Sequence, residues 1–193
     1  MPGMPYLVSL ALLVALFAWA VGVYNNLDHL RTVVCNFWGQ WSRATHYRNE
    51  SLNDFAVVFA AFLPQDASLP RSLQHLAAES ERSVSQGQEL LWSSDSDSRA
   101  DGVEDLLRQA VVQSVQLVEE SSVMREHEHL QRVCSRVSVS LFQQDQVAEL
   151  FNRAVRDYNQ MLKLPSARLL APLFGFVPAL PLRLSSTQNA RSS

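Results

Sequence analysis

Between Leu7 and Val23 the chain reads LVSLALLVALFAWAVGV, with no charged residue and with Ser9 as its single polar side chain. As an α-helix at about 1.5 Å per residue, this run reaches about 26 Å, close to the roughly 30 Å hydrocarbon core of a bilayer. Tyr6 and Tyr24 flank it at positions suited to the membrane interface, and Pro5 suits a first helical turn. The run therefore predicts one membrane pass, with residues 1–24 as the anchor. The competing reading is a cleaved signal peptide, because Ala18-Trp19-Ala20 has the small-x-small pattern of a cleavage site. Against cleavage stand the length of the run, the bulky Trp19 and the absence of Lys or Arg before it. Arg31, Arg43 and Arg48 follow the span, so the positive-inside rule places the N-terminus outside and the body in the cytoplasm.

At 193 residues, 47% hydrophobic and 18% charged, the chain can build one domain with a sizeable core beside the anchor. A net charge of −3, with Lys163 as the single lysine and no basic cluster, argues against nucleic acid as a partner. Cys35 and Cys134 stand far apart and match no zinc spacing, so both read as ordinary buried thiols.

Beyond Tyr24 the apolar residues keep helical spacing. A first stripe runs through Leu27, Leu30, Val34, Phe37, Trp41, Leu52, Phe55, Phe59 and Phe62 and stops at Pro64, as a helix continuing from the span. A second helix starts at Ser68, a candidate N-cap, and carries Leu73, Leu76, Val84 and Leu91. After the polar linker 93–102, Asp101 and Glu104 form a candidate capping box. The third helix follows with Val103, Leu106, Leu107, Ala110, Val111, Leu117 and Val118. The pattern weakens into a turn over 119–129, and a fourth helix extends from Leu130 to Leu162. The expectation is an all-α protein: a single N-terminal transmembrane helix, then an elongated antiparallel four-helix bundle over 25–164. Residues 165–193 form an apolar, Pro-rich tail and a disordered C-terminus. The first and fourth helices match in length at about 50 Å each. Tyr158-Asn159 is thus expected to face Tyr24-Asn25, with the tail docked on the bundle or on the bilayer interface, since it is too apolar for water and too rich in proline to span.

These motifs resemble the LemA family of bacterial membrane proteins. Tyr24-Asn25, Leu27, Leu30-Arg31, Val34, Trp38 and Gln40 follow that family's opening signature, roughly YNxLxxLRxxVxxxWxQ. The segment FNRAVRDYN, with Tyr158, and the closing Gly175-Phe176 look like its C-terminal YNxAVxxYN and GF. The resemblance extends over essentially the whole chain. It implies a single N-terminal anchor in the bacterial inner membrane and an elongated helical body, and it implies neither a catalytic activity nor a cofactor. The chain departs from the pattern at Asn53, where the family has Pro, at Ala148 and Phe151, and in the turn around Met124-Arg125.

Candidate chemistry is sparse. Asp95, Asp97 and Asp101 fail the calcium-loop pattern at Arg99, Ala100 and Leu106. His127-Glu128-His129 lacks the i, i+4 geometry of a helical zinc pair and reads as an exposed turn. No nucleophile stands near a convincing base, so neither an enzyme nor a metal or cofactor site is expected. Arg48 falls on the apolar stripe between Trp41 and Leu52, where it must either find a carboxylate or snorkel to the helix edge. Asn25, Asn152 and Asn159 are expected to bond between helices and fix their register. The reading is a membrane-anchored, non-enzymatic interaction or adaptor module whose partners are the bilayer and other proteins, with self-association possible. The alternative is an exported ligand- or metal-binding helical module released by cleavage after Ala20.

Overall fold

The computed structural model describes residues 4–64, 67–92 and 99–182, and every regular element among them is helical. The 93–98 part of the linker, with Asp95 and Asp97, and the C-terminus from 183 onward lie outside the described residues. Helix α1 (Met4–Ala60) is one unbroken helix of 57 residues, about 85 Å long at 1.5 Å per residue. It passes from the apolar run into the first stripe with no proline or turn between them. Around residues 8–19 every side chain is exposed, whereas Val23, Leu27, Val34, Trp38 and Trp41 are buried. This part of α1 is thus long and apolar enough to cross a membrane, and from Val8 to Trp19 it has no protein cover.

α1 ends in a tightened turn, with i→i+3 bonds from Ala61, Phe62 and Leu63 to Val58, Phe59 and Ala60, just before Pro64. α2 (Leu69–Leu90) follows, with Pro70 in its first turn; Ser68 stands at its N-cap, but its side chain makes no capping bond. α3 (Arg99–Glu120) begins two residues before Asp101, so the expected capping box falls inside the helix. The short α4 (Ser122–Glu126) and α5 (Glu128–Leu162) are capped by side chains: Ser121 accepts from the Met124 N–H, and His127 Nδ1 accepts from the Leu130 N–H. α6 (Pro165–Leu170), a 3-10 turn over Ala171–Phe174 and an irregular run to Leu182 complete the described residues.

Contacts between α1 and α5 pair rising with falling residue numbers: Asn26 with Met161, Thr45 with Gln144, Asp54 with Arg136. Two apolar clusters result. The first, next to the exposed run, joins Val23–Trp41 of α1 and Val84 and Leu91 on and just beyond α2 to Ala148–Tyr158 of α5 and to Ala167, Ala171, Phe176 and Ala179 of the tail. The second joins Leu52–Phe59, Leu73 and Ala77 to Leu107–Val118, Met124 and Leu130–Val137. α3 contributes to the second cluster only, and in the first the tail packs where a further helix would be needed. Two residues counted on the third stripe, Leu106 and Leu117, are exposed, whereas Ser114, not counted on it, is buried.

Candidate functional site

Between the two clusters lies a layer of polar side chains. Along α1 the positions Trp41, Thr45, Arg48, Leu52 and Phe55 alternate by three and four residues, so the helix itself carries Thr45 and Arg48 inward. Ser80 sits between Ala77 and Val84 on α2, and Gln144 one heptad after Val137 and one before Phe151 on α5. All four are buried, Arg48 at 1% exposure. The Arg48 guanidinium donates to both Glu104 carboxylate oxygens (Nη2–Oε1 3.0 Å, and Nη1 to Oε2), and to Gln144 Oε1 at 2.7 Å, Ser80 Oγ at 2.8 Å and Asn49 Oδ1 at 2.8 Å. Nε donates to Asn49 Oδ1 as well, at 3.2 Å. Ser80 Oγ donates a hydrogen bond to Glu104 Oε1, Gln144 Nε2 donates to Thr45 Oγ1, and Asn49 Nδ2 donates to Glu81 Oε2.

One guanidinium therefore ties together α1, α2, α3 and α5. Burial pushes the Glu104 carboxyl up, but the hydrogen bonds and charge of Arg48, with Ser80 and Gln144, outweigh it and hold Glu104 below the usual carboxylate range. Every buried side-chain nitrogen and oxygen among the described residues has a partner. A closed network of this kind fixes how four helices sit against one another, because any slip leaves a charge unpaired in an apolar setting. Glu104, expected as a cap, is instead turned inward as the carboxylate that Arg48 requires.

The second arrangement lies at the end of the core beside the exposed run. Asn159 Nδ2 donates to the Ala179 carbonyl at 2.7 Å and its Oδ1 accepts from the Ala179 N–H at 2.9 Å. Asn152 holds Leu182 in the same two-bonded way, both at 2.8 Å. Tyr158 donates its hydroxyl to the Val177 carbonyl at 2.9 Å, and the Leu180 N–H donates to the Leu91 carbonyl at the end of α2. The expectation of interhelical bonds for Asn152 and Asn159 is corrected here. A primary amide can accept from the N–H and donate to the C=O of one residue, which suits the backbone of a tail that makes no ladder or helix bonds of its own. Asn25 is exposed, and it is Asn26 that reaches α5, with Nδ2 directed at Met161 Sδ.

Tyr24 and Tyr158 meet through the tail rather than directly: Tyr24 touches Phe174 and Phe176 (ring centroids 5.0 and 5.6 Å), while Tyr158 packs edge-on against Trp92. Gly175 has φ +69°, a left-handed conformation that a side chain disfavours, and it turns the chain so that Phe176 is buried while Phe174 stays half exposed. Arg31 lies over the Trp92 ring at 5.1 Å. Trp38 is buried against Trp41 and Phe151, whereas Gln40, the last residue of the opening motif, is exposed. Cys134 is buried, and burial raises its thiol pKa; Cys35 is exposed, contrary to the expectation for both thiols, because it falls on the outward side of α1. His127, Glu128 and His129 are exposed, and no group of three metal-binding side chains converges among the described residues.

Comparison with known proteins adds no assignment: no family model matches the chain, and neither a curated protein nor a solved structure matches it.

Proposed function

We propose that the chain is a membrane-anchored, non-enzymatic helical module, a divergent member of the LemA family, whose antiparallel four-helix body serves as a protein-interaction or adaptor element of the bacterial cell envelope. The observation that carries this reading is the continuity of α1, in which an uncovered apolar run becomes, without a break, the central stripe of the folded body. Such a helix couples the body rigidly to the span, which suits a platform held at a fixed distance from the bilayer. The inner membrane is the implied location, with the N-terminus outside and the body in the cytoplasm, as the arginines following the span favour. The polar layer supports a structural role, since all of the Arg48 donors are consumed by the protein itself.

A partner surface is best sought on the outward side of α3 and α5. There Arg108 and Asp145 form a two-bonded ion pair, with Val112 one turn beyond Arg108 and Phe142 one turn before Asp145, both well exposed. Apolar residues around a charged pair are a composition that protein interfaces use. Photo-reactive residues introduced at Val112 and Phe142, and at Val57 for comparison, test this in cells. Discrete adducts at the first two positions and not at Val57 are expected, and one of twice the chain mass would mean self-association. Equal labelling at all three, or none, contradicts an interaction role for this face.

A further inference from the structure

We infer that the tail, residues 165–182, is a second membrane contact: an interfacial foot whose inner side is bonded to the helical body and whose outer side rests in the lipid headgroup and upper acyl region. The inference rests on the reading of residues 7–23 as a bilayer span, and it concerns a different segment.

The first observation is that the tail has two faces. Ala167, Ala171, Phe176 and Ala179 are buried in the core, whereas Leu169 and Leu173 are 72% and 76% exposed, and Phe174 and Val177 are also exposed. Position along α1 is the second. From Val8 to the end of the apolar run, Val23 alone is buried, and it belongs to the same cluster as the tail; Tyr24 touches Phe174 and Phe176. The tail thus lies level with the end of the span, and its exposed apolar side continues the apolar surface of α1. Composition supplies the third. From Leu169 to Leu182 there is no charged residue, and the cations Lys163 and Arg168 stand just before this stretch, where their long side chains can reach phosphate headgroups.

An irregular backbone is excluded from the hydrocarbon interior unless its polar groups are paired, and here the described clamps pair several of them. Asn152, Asn159 and Tyr158 take up peptide groups at Leu182, Ala179 and Val177. Proline at 172, 178 and 181 removes three further N–H donors outright. The asparagine clamps therefore do two things at once: they fix the tail on α5 and lower the cost of placing it against lipid. A foot on one side of the span would also limit the tilt of the long α1.

The test uses the full chain with Cys35→Ser and Cys134→Ala, carrying one environment-sensitive fluorophore at Leu173→Cys, Leu169→Cys, Leu13→Cys or Gln116→Cys. It is reconstituted in phosphatidylcholine and phosphatidylglycerol vesicles with spin-labelled lipids quenching at a shallow or a deep acyl position, and with iodide as the aqueous quencher. The probes at 169 and 173 are expected to be quenched at least threefold more by the shallow than by the deep spin label, and to be protected at least threefold from iodide relative to the probe at 116. Deep quenching is expected at 13. Lipid quenching at 13 with none at 169 and 173 overturns the foot and leaves the span standing, whether the tail then proves exposed to iodide or covered by protein. Absence of lipid quenching at all of these sites overturns both.

Discussion

Replacing Arg48 with Met removes the one cation of the polar layer while keeping much of its volume. In the wild-type chain, six hydrogen bonds leave the guanidinium, two of them to Glu104. In the variant the Glu104 carboxylate loses its counter-charge, and Gln144 and Asn49 each lose a donor. Breaking a buried pair from one side costs about 3–5 kcal/mol. The Glu104 side chain is 27% exposed and can recover part of its hydration, so the low end, about 3 kcal/mol, applies to Arg48→Met. Glu104→Leu strands the guanidinium instead, and at 1% exposure Arg48 has no path to water, so about 4–5 kcal/mol is expected. The double variant Arg48→Met/Glu104→Leu should lose about 4–5 kcal/mol, no more than Glu104→Leu alone and well short of the additive sum of about 7–8 kcal/mol, which is a coupling of about 3 kcal/mol. Urea unfolding in detergent, followed by tryptophan fluorescence from Trp38, Trp41 and Trp92, measures all three. Single variants within about 1 kcal/mol of wild type, or strictly additive losses, would refute the layer as the tie between the helices.

The depressed Glu104 pKa carries a pH signature. Since the folded value lies below the unfolded one, the ionised pair stabilises the fold fully above the unfolded value of about 4.3, and the contribution is lost as pH falls through the folded value. Thermal midpoints should drop below about pH 4.3, and that drop should shrink in Arg48→Met. A Cβ at Gly87 would come within 2.8 Å of the buried Trp38 ring, so Gly87→Ala should destabilise by about 1–2 kcal/mol despite the better helix propensity of Ala, as urea midpoints will show. Asn152→Ala and Asn159→Ala each remove a two-bonded clamp. Faster amide exchange confined to the tail around Ala179 and Leu182 is expected, with about 1–2 kcal/mol lost per clamp. Arg108→Ala breaks a pair that is about one-third exposed on both sides and should cost less than about 1 kcal/mol in the same unfolding assay.

The helical class and the long apolar run were legible because both are written locally, in an uncharged stretch and in spacings of three and four. Arg48 was visible as a charge on an apolar stripe, but its partner was not, since Glu104 carries an equally good local signal for capping and only the packing of α3 decides between the two. Gln144 carries a usable signal in the sequence, because it stands in the heptad series Val137, Gln144, Phe151, Tyr158. The role of Asn152 and Asn159 could not be read from helical spacing, because their partners are peptide groups of an irregular segment with no periodicity of its own. Cys35 illustrates a smaller limit, in that composition favours burial for cysteine while its position on α1 decides against it.

The central claim is that α1 is one helix, membrane span and body stripe together, retained in the mature chain. Exposed Cys35, twelve residues beyond Val23, reports on it directly, with buried Cys134 as the protected reference. A membrane-impermeant maleimide is applied to intact and permeabilised cells, and the alkali-washed membrane fraction is read by mass spectrometry for Cys35 and for the peptide covering residues 4–23. The account predicts labelling of Cys35 only after permeabilisation, on a chain that stays in the washed membrane with that peptide present. Loss of the peptide, or release of the labelled body into the wash, would contradict it.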